Sequence, residues 1–256
     1  VDNITVRDIE KWRYQRMEVE KLSYSGVRVF KSAFDCFFDW AKNNDFCSKN
    51  PSRLVTIKRK HEPGAENNEI FPFCAEDIEK IQAGIMNPKN KFRGHNRQQF
   101  YNFFMIAITT GMRPGEMIAL TWKDVDFKST EAHPYGTINI TKSKSQGQAL
   151  KAPKTTAGIR LHVLTQESRK YFESQRRLTG LMRKHVFVAS QKGPFQYEPY
   201  NSSFQITNRM WSNTIYRFCK DVKYRHFYQC RHTYISNLVA NGVDLPIIAR
   251  QVGHTG

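Results

Sequence analysis

The sequence predicts a mainly α-helical protein that also contains a small antiparallel β-sheet. Apolar residues recur at helical spacing along residues 5–41 and again along residues 75–110, as they do in amphipathic and buried helices. Residues 137–141 instead alternate between polar and apolar side chains, which is the pattern of a half-buried strand. A polar stretch containing Pro63-Gly64 separates the first helical segment from the rest, so we expect two domains.

Residues 1–58 are predicted to form a small helical domain. Thr5 is a suitable N-cap for a first helix, and a second helix is expected to begin near Ser23. The second helix carries a broad apolar stripe that we expect to form the core. Arg28 and Lys31 fall off that stripe, where they face either solvent or a DNA phosphate. The stripe consists of Val27, Phe30, Ala33, Phe34, Phe37, Phe38 and Ala41.

Residues 59–69 are predicted to be a linker between the two domains. They are polar, show no apolar period and contain Pro63-Gly64. The stretch begins with basic side chains that are suited to lie along a DNA backbone. These are Lys58, Arg59 and Lys60.

Residues 70–256 are predicted to form the second domain. Residues 100–110 are nearly all apolar, so we expect a helix buried on most sides that ends at Gly111. Pro114 suits the first turn of the next helix. Strands are expected at residues 137–141, 150–154 and 158–163, and further helices at residues 165–182 and within 201–221. Basic side chains placed to contact DNA are Lys142, Lys144 and Arg209.

Residues 228–254 are predicted to form two short helices. Gly242 and Gly253 are placed to end them, because glycine readily adopts the left-handed conformation of a helix C-terminus. Arg231 therefore lies at the start of the first helix, and His254 lies just past the end of the second. Helix ends can direct polar groups into a cleft. A plain helical hairpin with a surface arginine and a surface histidine fits this stretch equally well.

The charge of the chain predicts a polyanionic partner. The 256 residues carry a formal net charge of +17 and a pI near 9.8, with basic residues in both halves. Such an excess favours nucleic acid first and an anionic membrane second. No run of about 18 apolar residues is present, so no transmembrane helix is expected. The five cysteines lack zinc-finger spacing and favour reduced thiols in the cytoplasm.

Two stretches resemble the arginine boxes of the tyrosine recombinases, the family of phage integrases and Xer proteins. The first is residues 110–116, TGMRPGE, and the second combines Arg231-His232-Thr233 with Gly253-His254. A structural ion pair between Arg113 and Glu116 is the alternative explanation of the first box. Residues 153–160 resemble the hairpin that carries a catalytic lysine in this family. That lysine maps to Lys154, with Lys151 as the competing candidate.

The resemblance implies a helical core-binding domain of the SAM-like type, followed by a tyrosine-recombinase catalytic domain. It implies a site-specific recombinase that cuts and rejoins DNA through a 3′-phosphotyrosyl intermediate, without metal, ATP or another cofactor. The arginines would hold the scissile phosphate, and the lysine would protonate the leaving 5′-oxygen. Independently, the scattered acids argue against a two-metal nuclease. The implied catalytic residues are Arg113, Lys154, Tyr228, Arg231 and His254, with Glu116 in support.

The same resemblance implies the partners and the setting. We expect double-stranded DNA as the partner and a tetramer assembled on it. Directionality factors or host DNA-bending proteins are further expected partners. The expected setting is the cytoplasm of a bacterium, with a phage or transposon as the mobile element.

The chain departs from the family pattern at two points. Tyr228 stands where the family usually has histidine, three residues before Arg231. A phenol donates hydrogen bonds to phosphate, but its pKa near ~10 makes it a weak proton shuttle. His226 is the other candidate for that role. The nucleophilic tyrosine of the family follows the Gly-His pair, and the chain ends at Gly256.

We therefore expect a recombinase truncated at its C-terminus, which binds DNA and does not cleave it. A catalytically silent DNA-binding regulator on the same fold is one alternative. A type IB topoisomerase is another, but the helical domain of residues 1–58 favours the recombinase.

Overall fold

The computed structural model divides the chain into two compact units, Val1–Asn68 and Glu69–Gly256. The division falls within the predicted linker, residues 59–69, and the linker itself lies outside the described residues, as do Lys58, Arg59 and Lys60. The described residues are 1, 3–57, 71–90, 97–144, 158–181, 184–188 and 204–254, without the side chains of 204–210.

The N-terminal unit is helical, as the sequence predicts. Its elements are α1 (Val6–Tyr14), a π-helical turn (Gln15–Val19), α2 (Tyr24–Asn43) and a 3-10 turn (Ser52–Leu54). Thr5 caps α1 and exchanges hydrogen bonds with Asp8, and the Ser23 hydroxyl accepts from the Gly26 amide at the start of α2. The predicted N-cap at Thr5 and the predicted helix start near Ser23 are both confirmed. Ile9, Phe38, Ala41, Cys47 and Val55 form the core of this unit.

The buried face of α2 differs from the predicted stripe. Phe30 and Phe37 are 54% and 47% exposed. Lys31, which was expected off the stripe, is instead buried, and its ammonium lies 2.7 Å from Asp35. The same carboxylate oxygen accepts from the Ser52 hydroxyl at 2.7 Å. The placement of Lys31 was wrong because a lysine can bury its methylene stem once a carboxylate one turn away receives its charge.

The C-terminal unit contains most of the fold. Its elements are α3 (Ala75–Met86), α4 (Arg97–Thr110), α5 (Pro114–Ala119), a 3-10 turn (Trp122–Asp124), β1 (Val125–Asp126), β2 (Thr137–Ile140), β3 (Arg160–Val163), α6 (Gln166–Thr179), α7 (Phe204–Phe218), α8 (Gln229–Ala240) and α9 (Leu245–Val252). The three described strands form an antiparallel sheet in the order β1-β2-β3. The fold is mainly α with a small antiparallel sheet, as predicted.

Some elements differ from the sequence-based expectation. The two-residue strand β1 was not predicted, because so short a strand leaves almost no alternation to detect. The strand expected at residues 150–154 lies outside the described residues. Helix α6 ends at Thr179, before the predicted residue 182.

Helix α4 forms the centre of the C-terminal unit. It packs against α3, α6 and α8, and nearly every side chain from Gln99 onward is buried. Phe104 stacks on Trp211 of α7 with ring centroids 5.5 Å apart. This core fixes the end of α4, from which the first arginine box begins. No helix in the described part of the chain is long and apolar enough to span a membrane.

The last two helices end as their glycines predict. Gly242 and Gly253 have φ values of +73° and +68°, which side chains with a Cβ rarely adopt. Asp244 occupies the N-cap position of α9, and Pro246 lies in its first turn. His254 consequently follows directly after a sharply ended helix.

Candidate active site

Gly111 brings the first arginine box against the helix that carries the second. It has φ +61° at the end of α4, and a Cβ at this position would lie 2.4 Å from Cδ1 of Tyr234 in α8. Only a residue without a side chain permits this approach. Arg113, two residues later, occupies the N-cap position of α5, and Arg231 lies in the first turn of α8.

The two arginines share one basin at the C-terminal end of α9. Nη2 of Arg231 donates to the carbonyl oxygen of Val252 at 2.5 Å, and Nη1 of Arg113 lies 3.5 Å from the same oxygen. Arg231 also donates to the Gly111 carbonyl at 2.7 Å, and Arg113 to the Gly253 carbonyl at 3.1 Å. The guanidinium groups therefore lie well within the ~15 Å that two side chains binding one phosphate could span.

Arg231 is prepared to receive an anion. Its side chain is 1% exposed, and Nε is buried without a hydrogen-bond partner among the described residues. Burial, followed by the positive charge of Arg113, lowers the pKa of Arg231 to about 10. The group remains protonated at neutral pH, and an incoming phosphate would supply the missing negative charge.

Glu116 holds Arg113 in place. Its carboxylate accepts from the Arg113 amide at 2.9 Å and from Nη1 of Arg113 at 2.8 Å. The ion pair proposed as an alternative explanation of the box is thus present. Arg113 nevertheless keeps 32% of its side chain exposed, whereas Glu116 keeps 1%. The carboxylate orients the guanidinium and leaves part of it open.

His254 lies on the exposed side of the basin. Its amide donates to the Ala249 carbonyl at 3.0 Å, which fixes its backbone against α9. Partial burial, followed by the charges of Arg231 and Arg113, lowers the pKa of His254. The imidazole is therefore neutral at neutral pH and able to donate one hydrogen bond to a phosphate oxygen.

Tyr228 occupies the N-cap position of α8 and is 37% exposed. Its ring lies 5.4 Å from the His232 ring, centroid to centroid, and its negative form would raise the pKa of Arg231. His226 instead packs its ring against Tyr224 at 5.6 Å. Of the two candidates, Tyr228 is the one near enough to Arg231 for its ionised form to affect that pKa.

The predicted lysine hairpin is only partly described. Lys154 and Lys151 lie outside the described residues. The chain well before the hairpin is attached to the arginine box, since the Lys144 amide donates to the Gly115 carbonyl at 2.9 Å. A Cβ on Gly115 would meet the Lys144 carbonyl at 2.8 Å, so this approach also requires glycine. Lys144, itself a predicted DNA-binding residue, is thereby held beside the arginine box.

The remaining basic candidates occupy different environments. Lys142 and Arg28 are exposed, and Lys144 is half-buried. Arg209 lies within α7, but its side chain is not among those described. No group of three histidine, cysteine, aspartate or glutamate side chains within the described ranges is arranged to hold a metal ion.

Sequence reasoning missed Arg160 and His162. Both lie on the buried face of β3, whereas the apolar residues Ile159 and Leu161 are 51% and 50% exposed. Arg160 donates Nη1 and Nη2 to the two oxygens of Glu116 at 3.0 and 2.9 Å. The only signal in the sequence was a regular alternation, which shows that a strand has two faces but not which one is buried.

His162 supports the same end of α9. Its Nδ1 lies 3.2 Å from the Gln251 carbonyl oxygen. Complete burial is the main cause that lowers its pKa to about 4, so the ring is neutral. It serves as a neutral packing and hydrogen-bonding group beneath the basin.

Comparison with known proteins agrees with this geometry. Residues 77–256 match the Phage integrase family. The chain belongs to the phage integrase family. Among its relatives, a protein of Escherichia coli (strain K12) described as the defective protein IntQ is 30% identical over 249 residues, 89% of this chain and 56% of that protein. The ICEBs1 integrase of Bacillus subtilis (strain 168) is 26% identical over 261 residues, 99% of this chain and 64% of that protein.

Solved structures of phage and transposon integrases share the fold. The Tn1549 transposon integrase in complex with transposon right end DNA has a TM-score of 0.73 at 18% identity, covering 100% of this chain and 79% of that one. A lambda integrase dimer bound to a core site has a TM-score of 0.64 at 13% identity, covering 100% and 78%. The chain spans only 56% and 64% of the two integrase-family relatives above.

Proposed function

We propose that this protein is a site-specific DNA recombinase that integrates or excises a mobile element. The observation that carries the proposal is the shared basin in which Arg113 and Arg231 bind one carbonyl oxygen. Beside it lies the Nε of Arg231, which has no hydrogen-bond partner in the described part of the chain. Guanidinium groups bind phosphate oxygens in a bidentate way and stabilise the charge of a five-coordinate phosphorus. Glu116, the carboxylate bound to Arg113, is already paired with two arginines, whereas a two-metal nuclease needs several acids that converge on its ions.

The chemistry is a pair of balanced transesterifications. A tyrosine hydroxyl attacks the scissile phosphorus, a phosphotyrosyl bond forms, and the bond to the 5′-oxygen breaks. Lys154 is proposed to give its proton to that leaving oxygen, and the proton that the tyrosine hydroxyl loses passes to solvent. A second strand's 5′-hydroxyl then reverses the reaction, so the bond energy is conserved and no ATP is required. Arg113 and Arg231 hold the phosphate throughout, and Tyr228 and His254 donate hydrogen bonds to it.

The proposed partners follow from the charge and the relatives. Lambda integrase has been solved as a dimer on a core site and as a tetramer on a Holliday junction. We propose that this protein likewise assembles on double-stranded DNA, in the cytoplasm of a bacterial host. Directionality or DNA-bending factors would act with it there. We further propose that residues 1–58 are the core-binding domain and residues 70–256 the catalytic domain.

Binding to duplex DNA is expected to depend strongly on salt. A net charge of +17 spread over both halves should release many counterions, so affinity should fall by about 10³-fold between ~50 and ~200 mM salt. Gel-shift titration of the 256-residue chain measures this. Lys142→Ala should lower the slope of log affinity against log salt by about one. Lys80→Ala is the control, because Lys80 pairs with Glu76 at 2.6 Å; a salt-independent affinity would contradict DNA binding.

The protein expressed from its complete reading frame is expected to form covalent adducts with DNA. The assay is gel electrophoresis under denaturing conditions after incubation with a nicked suicide substrate, which traps the 3′-phosphotyrosyl product. Protease should convert the adduct into a DNA–peptide, and a chelator should not prevent its formation. DNA binding without any adduct would instead favour the regulator, and relaxation of supercoiled plasmid without strand exchange would favour the topoisomerase.

A further inference from the structure

Arg160 connects three segments of the candidate active site from beneath. Its side chain is 4% exposed and donates four hydrogen bonds. Nη1 and Nη2 bind Glu116, Nη1 also reaches the Gly158 carbonyl at 3.2 Å, and Nε donates to the Gln251 carbonyl at 2.8 Å. Its Nε, Nη1 and Nη2 all donate to protein groups, so any effect it has on the reaction passes through those neighbours.

Each of the three partners belongs to a different catalytic segment. Glu116 orients Arg113 in the first box. Gly158 follows directly after the undescribed part of the hairpin that contains Lys154. Gln251 lies in the last turn of α9, three residues before His254. One side chain thus bonds to residues in or next to all three segments.

We propose that Arg160 is a positioning residue for strand cleavage, which neutralises Glu116 so that the positive charge of Arg113 stays directed at the scissile phosphate. This inference rests on the recombinase function proposed above. Arg113, Glu116 and Arg160 together carry two positive charges and one negative charge, so one positive charge remains. Without Arg160, the carboxylate would be balanced by Arg113 alone, and little net charge would be left to stabilise the transition state.

The arrangement also explains why an arginine is required at this position. The carboxylate of Glu116 receives two parallel N–H donors from Arg160, at 3.0 and 2.9 Å, while the third edge of the same guanidinium reaches α9. A lysine would keep the charge, but its single ammonium could not serve both partners with this geometry. Arg160→Lys should therefore retain part of the contribution that Arg160 makes to the cleavage rate, and Arg160→Gln almost none of it.

The test compares cleavage of a charged and an uncharged scissile group under single-turnover conditions at saturating protein. The protein is expressed from its complete reading frame. Arg160→Gln is expected to reduce cleavage of the normal phosphodiester by about 10- to 100-fold, the loss usual for a residue that orients a reacting group, and Arg160→Lys by less. DNA affinity should stay within about threefold of the parent, because other basic residues hold the backbone.

A substrate with a methylphosphonate at the scissile position distinguishes positioning from a general structural role. This group lacks the negative charge that Arg113 neutralises. The factor by which Arg160→Gln slows cleavage should therefore be smaller on this substrate than on the normal one. The same is expected for Arg113→Ala. A protein that is merely misfolded would lose equally on both substrates. Arg169→Gln is the matched control, since Arg169 pairs with Glu173 at 2.7 Å and with the Phe127 carbonyl at 3.0 Å, away from the basin.

The possible results separate the positioning role of Arg160 from the recombinase function. The parent protein must first cleave the normal substrate. If Arg160→Gln then cleaves it at the parental rate, or if its cleavage rate falls by the same factor on both substrates, the positioning role is overturned while the recombinase function stands. If the parent forms no adduct, both proposals fall together. Should Arg160→Gln not fold, as judged by its thermal unfolding, the same comparison between the two substrates is made with Arg160→Lys.

Discussion

Replacing Arg231 with alanine should reduce single-turnover DNA cleavage by the complete protein about 100- to 1,000-fold. The guanidinium is 1% exposed and lies beside Arg113, and its Nε has no partner among the residues that the structure describes. It is therefore the donor best placed for the charge that develops on phosphorus. Removing one such preorganised donor usually costs that much. Arg113→Ala should have a similar effect, and His254→Ala a smaller one, since a neutral imidazole stabilises an anion less than a guanidinium does.

The control for this experiment is Arg250→Ala. Arg250 is exposed on α9, so its removal changes the net charge by the same amount without touching the basin. DNA affinity should change little in all of these variants, because phosphate contacts are spread over many basic residues. Cleavage by Arg231→Ala at the parental rate would show that this arginine does not hold the reacting phosphate.

Replacing Glu116 with alanine should lower the free energy of unfolding of the protein by about 3–5 kcal/mol, because it leaves two guanidinium groups around a buried cavity without their carboxylate. Glu116 is 1% exposed and accepts from both Arg113 and Arg160. Urea denaturation at neutral pH, followed by circular dichroism, measures the loss. Glu173→Ala is the control, since that carboxylate is 47% exposed beside Arg169 and should contribute about 0–1 kcal/mol.

The pH dependence of the Glu116 effect follows from its pKa. Burial acts to raise this pKa, but the hydrogen bonds and charges of Arg160 and Arg113 outweigh burial and bring it below the ordinary 4.5. A carboxyl whose pKa is lowered by folding stabilises the protein above its unfolded pKa and loses that contribution as the pH falls through the folded pKa. The difference in stability between the parent and Glu116→Ala should therefore be full at pH 7 and shrink in acid. A difference that grows in acid would contradict the assigned ion pairs.

The parts of the site that the sequence predicted are those determined by local chemistry. Gly253 fits only a helix end with positive φ, so the position of His254 past α9 was predictable from a few residues. Thr5 and Ser23 were predictable for the same reason, since an N-cap depends on residues three positions away. The arginine boxes were recognised by their resemblance to the family pattern, and the structure places Arg113 and Arg231 at the starts of α5 and α8.

The parts that the sequence did not predict depend on partners distant in the chain. Arg160 can be buried because it forms an ion pair with Glu116, which is distant in the sequence. No local sequence pattern indicates such a pair. A charged residue on an alternating strand would ordinarily be placed outside, yet in β3 it is the apolar Leu161 that is exposed, as is Ile159 just before the strand. Lys31 was also misplaced: Asp35 is only one helical turn away, but that carboxylate is held in addition by Ser52, 17 residues further along the chain.

The most direct test of the shared basin is a double-mutant cycle on single-turnover cleavage with Arg113→Ala, Arg231→Ala and the combined variant. When two residues act on one phosphate as a unit, removing either one already abolishes their joint contribution to the cleavage rate. The combined variant should therefore cleave about as slowly as the slower single variant. Two arginines acting on separate phosphates would instead give losses that multiply. We expect the first result, since both guanidinium groups bind the Val252 carbonyl oxygen. Multiplied losses would contradict the central claim that Arg113 and Arg231 hold the same phosphate.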